Sequence, residues 1–77
     1  MNEKRYTLNI GCINRSRPII SRDSEARKFD TYAEVIESIE RSGGTWLRLG
    51  YEIWFADILR DGEKIASWPN ITAEEPQ

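Results

Sequence analysis

Asp61-Gly62 is the residue pair that most constrains what this chain can fold into. It interrupts the run Thr45 to Trp68, TWLRLGYEIWFADILRDGEKIASW, in which strand-forming aliphatic and aromatic residues stand on both sides of it. A tight hairpin turn needs positive φ at its centre, which Asp and Gly adopt more readily than most residues, so the pair predicts a β-hairpin. Its long arm reads as Glu52 to Arg60 and its return arm as Glu63 to Trp68. A two-residue turn sets Arg60 opposite Glu63, Leu59 opposite Lys64, Ile58 opposite Ile65, Asp57 opposite Ala66, Ala56 opposite Ser67 and Phe55 opposite Trp68. One face then carries Ile58, Ile65, Ala56 and Trp54; the other carries Leu59, Phe55, Trp68 and Ile53. Two apolar faces leave aromatic area facing water, which points to a partner. A β-bulge near Ala56-Asp57 is the competing reading, because it rotates half the strand and gathers the large residues into one core.

The segments before the hairpin supply the rest of a small fold. In Arg5 to Cys12, Tyr6, Leu8, Ile10 and Cys12 alternate with Arg5, Thr7, Asn9 and Gly11, a strand with one core face. Ile13 to Arg17 reads as a polar turn, and Pro18 to Ser21 as a strand start or edge strand. Arg22 to Phe29, RDSEARKF, reads as loop or a frayed helical turn. Thr31 and Glu34 form a capping box, and Tyr32, Val35, Ile36 and Ile39 repeat at helical spacing, predicting an amphipathic helix. Gly43 is placed at its C′ position, Trp46 to Leu49 as a short strand, and Gly50-Tyr51 as a turn. The expected architecture is α+β: a mostly antiparallel sheet of four or five strands with one α-helix packed on one face. Residues 1–68 form a single domain in this reading, and 69–77 a flexible tail.

Composition narrows the chemistry. The chain has no histidine, so the usual general base and the usual metal ligand are missing. Its one cysteine, Cys12, allows no internal disulfide and no ordinary Cys/His zinc site, and a reducing compartment is the natural setting. Cys12 ends a core-facing alternation and reads as a small buried hydrophobe. No Gly-rich phosphate loop is present, since Gly43-Gly44 follows a helix. The expectation is a non-enzymatic protein with no cofactor and no metal. No apolar run reaches the roughly 20 residues of a membrane span, and the first residues, MNEKRYTLNIG, lack the apolar core of a signal peptide, so a cytoplasmic location is expected.

Binding is the function class that remains. Trp46, Arg48, Tyr51 and Trp54 fall within nine residues and are the residue types that dominate protein interfaces, although they are also ordinary strand formers. Charge is uneven as well. Residues 1–28 carry seven basic and three acidic side chains, a net +4, while 29–77 carry four basic and ten acidic, a net −6. Arg15, Arg17, Arg22, Arg27 and Lys28 form a candidate patch for nucleic acid or for an acidic partner. Against nucleic acid stands a pI near 5.1. A self-assembling dimer through exposed edge strands is the third reading.

With its capped helix and its WLRLG…WFADILRDGEKI hairpin, residues 31–68 resemble small proteins encoded by phages and mobile elements, among them anti-CRISPR inhibitors. The likeness is one of architecture; no diagnostic motif accompanies it, so it carries over no functional residue. It implies an inhibitor without catalytic activity that binds and blocks a subunit of a CRISPR-Cas or other defence complex in a bacterial host.

Overall fold

The structure, a computed structural model, describes residues 5–14, 21–48 and 51–76, with the backbone alone for 21–23 and 46–48. Along the chain run β1 (Tyr6–Asn14), β2 (Ser21–Phe29), α1 (Tyr32–Arg48), β3 (Glu52–Arg60) and β4 (Glu63–Ser67). The strands make one antiparallel sheet in the order β2-β1-β3-β4, and α1 packs across one face. This is the α+β architecture expected, with four strands.

β1 occupies the sheet's interior because its alternation suits a strand covered on one side. Tyr6, Leu8, Ile10 and Cys12 are all buried. Against them α1 lays Tyr32, Val35 and Ile39, with Ile36 half-buried at the margin. Removing a side chain such as Leu8, Ile10, Val35 or Ile58 from water contributes about 1.5–3 kcal/mol. The predicted capping box starts the helix. The Thr31 amide donates to Glu34 Oε1 at 3.2 Å, and the Glu34 amide donates to Thr31 Oγ1 at 3.2 Å.

Three local expectations are corrected. Arg22 to Phe29, read as loop or helical turn, belongs to β2, which pairs with β1 from Tyr6↔Phe29 to Asn14↔Ser21. Its charged composition disfavours a strand locally, and pairing along all of β1 overrides that preference. Gly43 does not end the helix: it lacks positive φ, and α1 continues to Arg48. Trp46 to Arg48 are therefore helical rather than a strand, since extending a formed helix adds a hydrogen bond per residue while a new strand needs a partner. The turn and strand placed at 15–20, and Leu49 and Gly50, lie outside the described residues.

The β3–β4 hairpin forms where expected. Asp61 has φ 53° and Gly62 φ 85°, the two positive values that a type I′ turn needs. Arg60↔Glu63 and Leu59↔Lys64 pair as read, but the register then slips. Ile58 faces Ala66 and Asp57 faces Ser67, leaving Ile65 as an extra residue on β4 in place of the expected Ile58/Ile65 pair. A second slip separates Gly11↔Phe55 from Cys12↔Ile53 and leaves Trp54 as the extra residue on β3. This second bulge changes the strand's parity, so Ile53 joins Ala56 and Ile58 at the core while Phe55 stays on the opposite face.

The tail also departs from expectation. Residues 69–76 fold back on the sheet: Ile71 packs against the core, the Tyr32 hydroxyl donates to the Thr72 carbonyl at 2.7 Å, and Glu75 binds Tyr6 and Arg60. Its few apolar residues gave no periodic signal, yet one isoleucine and one carboxylate suffice to seat it.

Candidate protein-docking face

The helix covers one face of the sheet, so the other face is where a binding surface can form. Register places Ser24, Ala26 and Lys28 of β2, Thr7, Asn9 and Gly11 of β1, and Phe55, Asp57 and Leu59 of β3 on it. Its centre is polar: Ser67 Oγ donates to Asp57 Oδ1 at 2.8 Å, and a shallow groove of about 430 Å³ runs between Asn9, Ser24, Ala26, Phe55 and Asp57.

Toward the bulged end the face becomes aromatic. Gly11 has no side chain, and the Phe55 ring fills the space above it; a Cβ there would meet Cδ1 at 2.9 Å and Cζ at 3.0 Å. Glycine weakens a strand, and an aromatic neighbour laid across it restores the lost packing. Trp54 then stands edge-on to Phe55, with ring centroids 5.6 Å apart and planes at 75°. Among the described residues the exposed large hydrophobics are Trp54, at 45%, and Trp68, at 41%. The Trp68 amide donates to the Ala56 carbonyl at 2.7 Å, which anchors it two positions along β3 from Trp54. Both indoles thus stand toward the open end of the hairpin, away from the Asp61-Gly62 turn: Trp54 at the β3 bulge and Trp68 opposite Ala56.

The predicted partner-binding set is only partly gathered. Trp54 is exposed on β3 and Tyr51 half-buried just before it, whereas Trp46 and Arg48 belong to the last turn of α1, where the backbone alone is described. Trp46 and Arg48, expected on a short strand before Trp54, are thus on the helix while Trp54 is on the sheet. Phe55 joins Trp54 instead, and the signal for it was a glycine at an outward position of a strand.

Of the predicted basic patch, Arg27 and Lys28 have described side chains, and the two do not share a face. Arg15 and Arg17 lie outside the described residues, and Arg22 has its backbone alone described. Arg27 and Lys28 are adjacent on a strand and so point to opposite faces. Arg27 turns toward the helix, donating through Nη1 to Ser38 Oγ at 2.7 Å and Ser42 Oγ at 2.6 Å, and through Nε to Glu25 at 2.8 Å. It ties β2 to α1 along a groove of about 640 Å³ that Arg41, Glu34 and Glu37 also line. Lys28 is exposed on the open face.

At the other end of β1 and β3 lies a charged cluster that sequence reasoning did not join. The Tyr6 hydroxyl donates to both Glu75 oxygens, at 2.9 and 2.8 Å, and Arg60 binds the same carboxylate. Hydrogen bonds from Arg60 and then Tyr6 hold the Glu75 carboxyl below its ordinary range. The same bond raises the Tyr6 phenol, and burial raises that of Tyr32. Arg5 bonds Asp61 at 2.9 Å, which raises its own pKa.

Among the described residues there is no group of three or more His, Cys, Asp or Glu placed to hold a metal ion, and no helix long and apolar enough to cross a membrane. Comparison with protein-family models, with curated proteins and with solved structures finds no match to this chain.

Proposed function

We propose that this chain is a non-enzymatic protein-binding module whose docking surface centres on Trp54, with Phe55 beside it. The observation that supports this reading is Trp54 itself: a large indole 45% exposed, braced edge-on by Phe55 and carried by an interior strand. Tryptophan on a rigid support loses little entropy on docking and is the residue type most enriched among binding hot spots. The resemblance to phage-encoded inhibitors gives the proposal its particular form, a small protein that binds a subunit of a bacterial defence complex in the host cytosol and blocks it. A nucleic-acid role is less favoured, because Arg27 is committed to Ser38, Ser42 and Glu25.

The test is affinity capture from bacterial lysate containing defence complexes, with and without nuclease, using the unsubstituted chain and Trp54→Ala. A nuclease-resistant stoichiometric complex is expected with the first, weakened about thirtyfold in the second, as for a hot spot worth about 2 kcal/mol. Equal capture by both chains, or an unfolded Trp54→Ala chain, overturns the assignment. Capture lost on nuclease treatment moves the function to nucleic acid.

A further inference from the structure

The C-terminal segment rests on the end of the sheet where Tyr6 pairs with Arg60, and its hold there is narrow. Residues 69–76 form no strand, so no main-chain ladder secures them. Three features do: Ile71 against the core edge, the Thr72 carbonyl accepting from Tyr32, and the Glu75 carboxylate accepting from Tyr6 and Arg60. Arg60 Nη1 also reaches the Pro76 carbonyl at 3.3 Å. Between the anchors, Thr72, Ala73 and Glu74 are exposed. The segment is thus recognised as a peptide ligand is, by one aliphatic side chain, one carbonyl, and a glutamate four positions after the aliphatic residue.

The surface it touches has the composition of an interface. Tyr6 and Tyr32 meet edge to face with centroids 6.2 Å apart, and each is 6% exposed with the tail in place. The Arg5 guanidinium carbon lies 5.7 Å from the centre of the Tyr6 ring, and Arg60 stands across from it on β3. Tyrosine and arginine are the residue types that concentrate binding energy. Among the described residues the charged and titratable groups at this end include Arg5, Arg60, Asp61, Glu63, Glu75, Tyr6 and Tyr32; Arg5 is engaged by Asp61, which leaves the Arg60–Tyr6 pair to bind a carboxylate.

We propose that Tyr6, Tyr32 and Arg60 form a receptor site for an acidic segment of a partner protein, bearing an aliphatic residue four positions before a glutamate, and that residues 71–76 are its intramolecular occupant. This goes beyond the Trp54 surface and does not depend on it. With the tail detached, the Arg60 guanidinium and the Tyr6 hydroxyl lose their acceptor, and an incoming carboxylate restores it. An intramolecular ligand competes at an effective concentration in the millimolar range, so the site opens to a partner segment that binds more tightly than the chain's own, or that arrives already concentrated beside it.

The experiment uses a fluorescent peptide of residues 69–77, PNITAEEPQ, titrated against the full chain and against the full chain carrying Glu75→Gln. The peptide is expected to bind the Glu75→Gln chain and to bind the unsubstituted chain at least about tenfold more weakly, because there the tail already fills the site. Replacing the peptide's own Glu75 by Gln, or adding Arg60→Met to the Glu75→Gln chain, should abolish binding. Equal binding to both chains, or binding indifferent to the peptide's glutamate, overturns the proposal. So does an unsubstituted chain that sediments as a dimer whose Glu75→Gln variant is a monomer, because the occupant would then be a second copy's tail. Hydrogen exchange on the unsubstituted chain decides the matter if Glu75→Gln does not fold. Amides of 71–75 that open well before those of β1 support a displaceable occupant, and amides that open only with β1 make the segment part of the core and refute it.

Discussion

The two hairpins have the same plan and protect themselves in different ways. Each places one strand in the middle of the sheet, β1 or β3, and the other at an edge, β2 or β4. An edge strand offers unpaired backbone groups to any passing chain and has to be blunted. β4 does this by brevity and irregularity: five residues, Lys64, and a bulge at Ile65. β2 runs for nine residues and does it with charge, including Arg27 directed inward over the sheet. Both edges thus carry devices against pairing, while Trp54 stands exposed beside Phe55 at the bulged end of the open face. The difference between edge and face is what favours partner docking through Trp54 over a dimer built by strand addition.

The largest expected effect tests the division between interior and edge strands. Ile58, fully buried on β3, should cost about 2–5 kcal/mol when replaced by alanine, because the surrounding side chains cannot fill the space left behind. Ile65, half-buried at the β4 bulge, should cost clearly less in the same denaturant titration. Equal losses would mean that β4 is as much a part of the core as β3, and the comparison would fail. A smaller effect tests the charged edge. Arg27→Met removes donors from Ser38 and Ser42 and should destabilise by about 1–2 kcal/mol. Lys28→Met, one residue on and facing out, should stay within about 0.5 kcal/mol of the parent. If the two substitutions behave alike, Arg27 is not what fastens β2 to the helix.

The same comparison explains what the sequence made legible. β3 and β4 announce themselves, since Asp61-Gly62 fixes the turn and aliphatic residues alternate on both sides. The capping box at Thr31 and Glu34 and the Tyr32–Val35–Ile39 stripe were equally plain, because hydrogen bonding and burial there are satisfied within a few residues of the signal. β2 was not legible: RDSEARKF has the composition of a loop, and its extended form comes from pairing with β1, a long-range cause that no local pattern encodes. The helix beyond Gly43 was missed for a related reason. Glycine costs a helix about 1 kcal/mol relative to alanine, which is less than a continuing helix recovers in hydrogen bonds and packing. At the site, Trp54 was legible as an aromatic on a strand. Its contact with Phe55 depends on the bulge between Gly11 and Cys12, and a one-residue slip reverses which face a side chain takes.

The smallest effect concerns the seam where the two hairpins meet, at Tyr6↔Arg60, and it is read as a pH profile. Hydrogen bonds from Arg60 and Tyr6 lower the Glu75 carboxyl in the folded chain relative to its unfolded value. The unfolded chain therefore binds that proton first as pH falls. Stability from Glu75 is complete above the ordinary glutamate range and is lost as pH drops through the lowered value. On the alkaline side the phenols shift the opposite way, Tyr6 through its bond to Glu75 and Tyr32 through burial. Their contribution is intact below the ordinary tyrosine value and falls as pH climbs through the raised one. Denaturation midpoints should accordingly form a plateau around neutrality with a shoulder at each end. Glu75→Gln should flatten the acid shoulder, and Tyr32→Phe should reduce the alkaline one while leaving the acid shoulder in place. An acid shoulder that persists in Glu75→Gln would place the titrating carboxylate elsewhere than the seam, and the seam would then lose its claim to be where the two hairpins are fastened by charge.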